Sequence, residues 1–325
     1  EMTLEFTSNP AWYAVQSLPY LMEYPYECTE QIFSRYYANT LATSVANSSP
    51  QIKKVFDSWK NITPEALKSN LAKNEELKYA LLEETPWVLQ AQSEAQQKKN
   101  IGLLFDLNRM SNELDKALKT MEKRQSRDGG FAWFPGGKDS WYITQYIVEG
   151  MGHLQYLGAI GEKSGLQKKQ QAGDMIGNAV DFIDNKLLEQ YTDLLEQKRK
   201  YKNINLEDDH LDYMAIHYLY ARSFYLSIPI RKDVQVAFDY YVGQSEKYWL
   251  NKGMYSEGMI ALALQRLDKP KQPALIVKSL KERSLNSEEM GMYWKYPSGY
   301  YWYQAPIETH ALMIEVFDEV ANDAQ

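Results

Sequence analysis

Helical periodicity recurs along nearly the whole chain and constrains the fold more than any other feature. Apolar residues return at three- and four-residue intervals in Ile32, Phe33, Tyr36, Tyr37 and Leu41, and again in Leu114, Leu118 and Met121. The same spacing continues in Ile143, Ile147, Met151 and Leu154, and in Val234, Phe238, Tyr241 and Val242. Start signals agree with it. Asn9-Pro10 and Thr63-Pro64-Glu65 each place a capping side chain before a proline that suits the first helical position. The pattern predicts about a dozen helices, including stretches near 29–46, 168–195, 272–285 and 306–320 and one ending near Arg124. Several are apolar over more than half their circumference, as expected where one layer of helices is enclosed by another. The fold class is all-α.

Strand signals are few. Thr3-Leu4-Glu5-Phe6 alternates apolar and polar side chains. Residues 292–303 are dense in tyrosine and tryptophan around Pro297-Ser298-Gly299, which predicts an aromatic hairpin near the C-terminus. A glycine-rich turn, residues 128–137, carries Phe131, Trp133 and Phe134. Aromatics beside such turns most often plug the ends of a helical assembly.

Composition removes several function classes. A net charge of −7 argues against nucleic acid or an anionic membrane surface as the main partner. The single cysteine excludes an intrachain disulfide framework, and no Cys/His cluster suggests zinc, so neither metal nor cofactor is expected. No apolar run is long enough to insert in a membrane, and there is no signal peptide. The first residue is not methionine and the chain opens on a strand-like stretch, which reads as a segment of a longer polypeptide carrying its targeting information elsewhere.

That one cysteine, Cys28, stands three residues before Gln31, where a proline-flanked turn enters a helix. Residues at i and i+3 share a helix face, so the thiol can reach the side-chain carbonyl carbon of the glutamine. Attack with loss of ammonia gives an internal thioester, an acyl group that survives only where water and amines are kept out. The plainer reading of the same pair is a small buried hydrophobe followed by a first-turn polar residue.

Pro25-Tyr26-Glu27-Cys28-Thr29-Glu30-Gln31 resembles the thioester motif of the alpha-2-macroglobulin and complement superfamily, usually Pro-Tyr-Gly-Cys-Gly-Glu-Gln. Glu27 and Thr29 stand where glycines are usual. Two later stretches extend the likeness. Asp128-Gly129-Gly130-Phe131 followed by Ser140-Trp141-Tyr142-Ile143-Thr144 resembles the family's Asp-Gly-x-Phe segment and its Ser-Thr-Trp-Leu-Thr helix start. Ile307-Glu308-Thr309-His310-Ala311 resembles its Val-Glu-x-Thr-Ala helix.

The resemblance implies an α/α toroid, a closed ring of helix hairpins, spanning residues 9–325. Residues 1–8 would then be a strand and linker from a flanking β domain. It implies a Cys28–Gln31 cross-link supported by Glu30, Tyr26 and Pro25, with Trp133 and Trp294 as shielding aromatics. Complement-type members carry a histidine in a Pro-x-x-His loop that redirects transfer to hydroxyls. That loop is absent here, and His210 is the one positional candidate for an acyl-transfer base, so direct reaction with amines is expected. His153, His217 and His310 sit within helices, where packing or hydrogen bonding accounts for them. The implied function is a single-use protease inhibitor rather than a turnover enzyme. Bait cleavage exposes the thioester, and a lysine amine of the protease is acylated. The partners are target proteases and flanking domains of the same chain, in a periplasmic or extracellular, cell-envelope setting.

Two other classes remain open at this point. An α/α-toroid carbohydrate-active enzyme needs paired carboxylates, for which Asp128, Asp208 and Asp209 are available. A non-reactive scaffold needs only an inert Cys28.

Overall fold

The computed structural model describes residues 28–48, 107–160, 169–288, 291–295 and 306–321. The expected strand at Thr3–Phe6, the helix opened by Asn9-Pro10, the short helices between 51 and 87, the Pro297-Ser298-Gly299 turn, and Pro25 and Tyr26 lie outside the described residues. What is described is mostly helical, with nine α-helices and four strands of two or three residues. It divides into two compact units: residues 1–125, 132–137 and 154–172, and residues 126–131, 138–153 and 173–325.

In the first unit, α1 (Thr29–Ser48) packs against α2 (Leu107–Arg124). On α2, Leu114, Leu118 and Met121 are buried in the i, i+4, i+7 pattern of a one-sided helix. On α1, burial takes in Ile32, Phe33, Tyr36, Ala38, Asn39 and Thr40, which covers more than one face. The buried hydroxyl there is satisfied within the helix, Thr40 Oγ1 donating to the Tyr36 carbonyl at 2.8 Å.

The second unit holds most of the remaining helical residues. The turn that leads into it is built on Gly129, whose φ of +88° lies in the left-handed region. A Cβ at that position would meet the Asn178 carbonyl oxygen at 2.0 Å, so glycine is required for the close approach as well as for the backbone angle. The short strands β1 (Phe131–Ala132) and β2 (Asp139–Ser140) lead into α3 (Trp141–Tyr156). Its entry is fixed when the Phe131 backbone N–H donates to Thr144 Oγ1 at 2.9 Å. Helix α4 (Lys169–Lys200) follows, then α5 (Tyr213–Ser223), capped by Asp212, whose Oδ1 accepts from Ala215 N at 2.9 Å.

Helices α6 (Lys232–Tyr248), α7 (Met254–Arg266), α8 (Lys271–Glu282) and α9 (Pro306–Glu319) complete the series. Burial differs sharply between these helices. Every residue from Ala215 to Ser223 is buried in α5, and every residue from Glu257 to Leu264 in α7. By contrast α8 buries only Pro273, Ile276, Val277 and Leu280. Helix α7 packs against α5, α8 and α9. Its sequence Gly258-Met259-Ile260-Ala261-Leu262-Ala263-Leu264 has no charge to leave in water and so tolerates neighbours all round. Buried charges in this unit are paired. Arg222 Nε meets Asp184 Oδ1 at 3.1 Å, its Nη2 donates to the Ile228 carbonyl at 2.8 Å, and Tyr218 donates to the same carboxylate at 2.6 Å.

Residues 291–293 pair back to an earlier strand, while the turn and return strand of the aromatic hairpin expected over 292–303 lie outside the described residues. Strand β3 (Leu285–Ser287) pairs antiparallel with β4 (Gly291–Tyr293), with Leu285 opposite Tyr293 and Ser287 opposite Gly291. Gly291, at φ +67°, supplies the left-handed residue that a short connection back to Ser287 needs. The preceding helix accordingly stops at Glu282 instead of running on to Leu285.

Candidate functional site

The site grows from the first turn of α1. Cys28 is the residue just before the helix, and its carbonyl accepts the first helical hydrogen bond, from Ile32 N at 3.1 Å. A helix start leaves backbone N–H groups without intrahelical partners, and side chains three residues on can turn back to meet them. Gln31 does so. Its Oε1 accepts from the Cys28 backbone N–H at 3.3 Å. The carboxamide of Gln31 is therefore folded back onto the residue that carries the thiol.

The surroundings hold this turn in place. Thr29 is fully buried, its backbone N–H donates to the Trp133 carbonyl at 2.9 Å, and its hydroxyl accepts from Arg124 Nη1 at 3.3 Å. The loop carrying Trp133 is thus tied to the Cys28–Thr29 segment by backbone, while the Trp133 side chain is 42% exposed. Cys28 itself is 8% exposed and forms no disulfide. Its Sγ donates to Glu30 Oε2 at 3.6 Å, and the other Glu30 oxygen accepts from Ser34 Oγ at 3.4 Å. The resemblance implies motif support for Glu30, and nothing in the sequence pattern points to this thiol–carboxylate contact.

Trp294 and His210 belong to the second unit, and each is engaged there. Trp294 is 5% exposed; its indole N–H donates to the Leu280 carbonyl at 2.9 Å and its ring packs against Phe317 and His310. That is the role of a plug between α8 and α9. The His210 ring meets the Asn205 carbonyl through Nε2 at 2.8 Å. The remaining histidines are bonded within their helical surroundings: His217 to Glu149 at 2.7 Å, His153 to Tyr220 at 2.8 Å, and His310, whose Nε2 accepts from Trp294 N at 3.2 Å.

Of the carboxylates considered for a glycosidase-like pair, Asp128 and Asp208 are exposed. Asp209 is committed to Lys252 at 2.7 Å and Asn251 at 3.3 Å; burial alone would raise its carboxyl, but these partners hold it below the ordinary range. Among the described residues no cluster of His, Cys, Asp or Glu has the arrangement of a metal site, and no helix is long and apolar enough to cross a membrane. Compared with known proteins, the chain matches no family model and no curated protein.

Proposed function

We propose that this chain is a thioester domain of an alpha-2-macroglobulin-like protease inhibitor, folded as an α/α toroid. The observation that supports it is the Gln31 carboxamide turned back onto Cys28 at a buried helix start. In this reading Cys28 Sγ attacks Gln31 Cδ. The thiol proton passes to the Glu30 carboxylate beside it and on to the departing amide nitrogen, which leaves as ammonia. Negative charge develops on Oε1, where the Cys28 N–H already donates and the positive end of the α1 dipole lies. The products are a Cys28–Gln31 thioester and one ammonia.

The reverse half is acyl transfer. A lysine amine attacks the Gln31 acyl carbon, the Cys28 thiolate leaves and takes up the amine's proton, and an amide remains. The trap fires once. Its partners are attacking proteases and flanking domains of a longer polypeptide, in the periplasm or outside the cell. Direct transfer to amines suits a His210 whose Nε2 is already engaged by Asn205.

Intact mass of the full-length protein tests this. The expected mass is short by one ammonia, methylamine adds at Gln31 with release of a titratable thiol, and Cys28→Ala abolishes both. Glu30→Gln slows closure of the thioester while leaving the helix intact. A native full-length protein with a free Cys28 that never takes up methylamine overturns the proposal and leaves Gln31 as a helix cap in a non-reactive scaffold.

A further inference from the structure

A separate cleft of about 520 Å³ opens in the second unit, between α4, the start of α3 and α6. Helix α4 presents Lys186, Gln190, Asp193 and Gln197 to it, at helical spacing on one face. Trp141 and Tyr241 supply aromatic wall.

Some polar groups of the lining are satisfied internally. Lys186 and Glu189 pair at 2.5 Å, and Asp139 accepts from Ser126 Oγ at 2.5 Å. Others are not. Trp141 Nε1 and Gln190 Oε1 are buried in the wall with no hydrogen-bond partner, although Gln190 is anchored by its Nε2 to Asp212 at 3.0 Å. Asp193 is exposed and has no partner among the described residues. The wall therefore holds a buried indole N–H and a buried amide oxygen without partners, beside the exposed Asp193 carboxylate.

This combination selects a ligand chemistry. Three carboxylates against one lysine reject an anion. A simple ammonium brings donors only and leaves the indole N–H unmet, which is costly in a buried wall. A hydroxyl both accepts and donates. A clustered set of hydroxyls on an otherwise apolar ring satisfies the indole, the amide and the carboxylate together and lays its C–H face on the aromatic rings. The volume lies within the range of small-molecule sites. We propose that this cleft is a binding site for an uncharged saccharide, independent of the chemistry at Cys28.

The test uses the Cys28→Ala protein, so that acyl transfer contributes nothing and a failed thioester reading leaves the result interpretable. Maltose, cellobiose and N,N'-diacetylchitobiose are titrated to tens of millimolar, with ligand-observed NMR and tryptophan fluorescence as readouts. At least one should bind saturably, and Trp141→Phe and Asp193→Asn should each weaken it about tenfold. Asp193 is exposed, so its isosteric substitution keeps the fold if Trp141→Phe does not. Three results overturn the proposal: no saturable binding of any of the three sugars, binding that Asp193→Asn leaves unchanged, or binding only of acetyl-Gly-Lys-Gly-amide, which would make the cleft a peptide groove.

Discussion

Gln31 Oε1 lies 3.3 Å from the backbone nitrogen of Cys28, so one side chain both caps a helix and presents a carboxamide to a thiol-bearing residue. The two roles separate by substitution. Gln31→Ala removes the cap and should lower stability by about 1 kcal/mol. Gln31→Glu keeps an acceptor at the same place and should cost less, yet it abolishes ammonia loss because no amide remains. Urea unfolding paired with intact mass distinguishes the two effects.

The ion pair between Asp184 and Arg222 is buried on both sides, with relative exposures of 1% and 0%. Removing one partner leaves the other charge unpaired. Asp184→Ala should destabilise the second unit by about 3–5 kcal/mol, since Arg222 Nε and the Tyr218 hydroxyl both lose their acceptor. Replacing Asp184 and Arg222 together by apolar residues of similar volume should cost less than the single change. Denaturant midpoints at constant m-value measure both.

His153 joins α3 to α5 and α9 through Tyr220 and Glu315. Burial works against its imidazolium, but Glu315 and Glu149 outweigh burial and the opposing Arg266 charge, and raise it above the ordinary value of 6.5. Burial likewise opposes ionised Glu315, and His153, Tyr220 and Arg266 together hold it below its ordinary 4.5. A raised histidine stabilises the fold fully below the unfolded value and loses that contribution as pH rises through the folded one. A lowered carboxylate does so above its unfolded value and loses it as pH falls. The pair should therefore contribute most between about pH 4.5 and 6.5, with stability falling as pH rises beyond that window. His153→Gln should flatten the alkaline side of a melting-temperature profile.

Two glycines should respond differently to alanine. At Gly129 the added Cβ meets a backbone carbonyl at a positive φ, and neither can yield, so a loss of about 2 kcal/mol or more is expected. At Gly258 it meets the Met313 terminal methyl at 2.6 Å and Leu312 Cδ2 at 3.0 Å, the far ends of flexible side chains. Helix propensity returns up to about 1 kcal/mol there, and Gly258→Ala should be close to neutral. Chemical denaturation of the two variants side by side checks the contrast.

What could be read from the amino-acid sequence was local. Helix starts at Thr29 and Pro306 follow from caps, prolines and apolar spacing, and the return of Gln31 Oε1 to the Cys28 backbone N–H is a contact between residues three apart at a helix start. These depend on a few neighbouring residues and on backbone geometry shared by all chains. The tertiary structure decided what lies between residues far apart. It gave the Cys28 turn its backbone tie to Trp133, turned Trp294 inward onto Leu280, paired Tyr293 back to Leu285, and brought Trp141, Gln190 and Tyr241 around one cleft. Such contacts depend on how whole helices pack, where burial of many side chains is balanced at once, and no periodicity within a single helix records which partner it will meet.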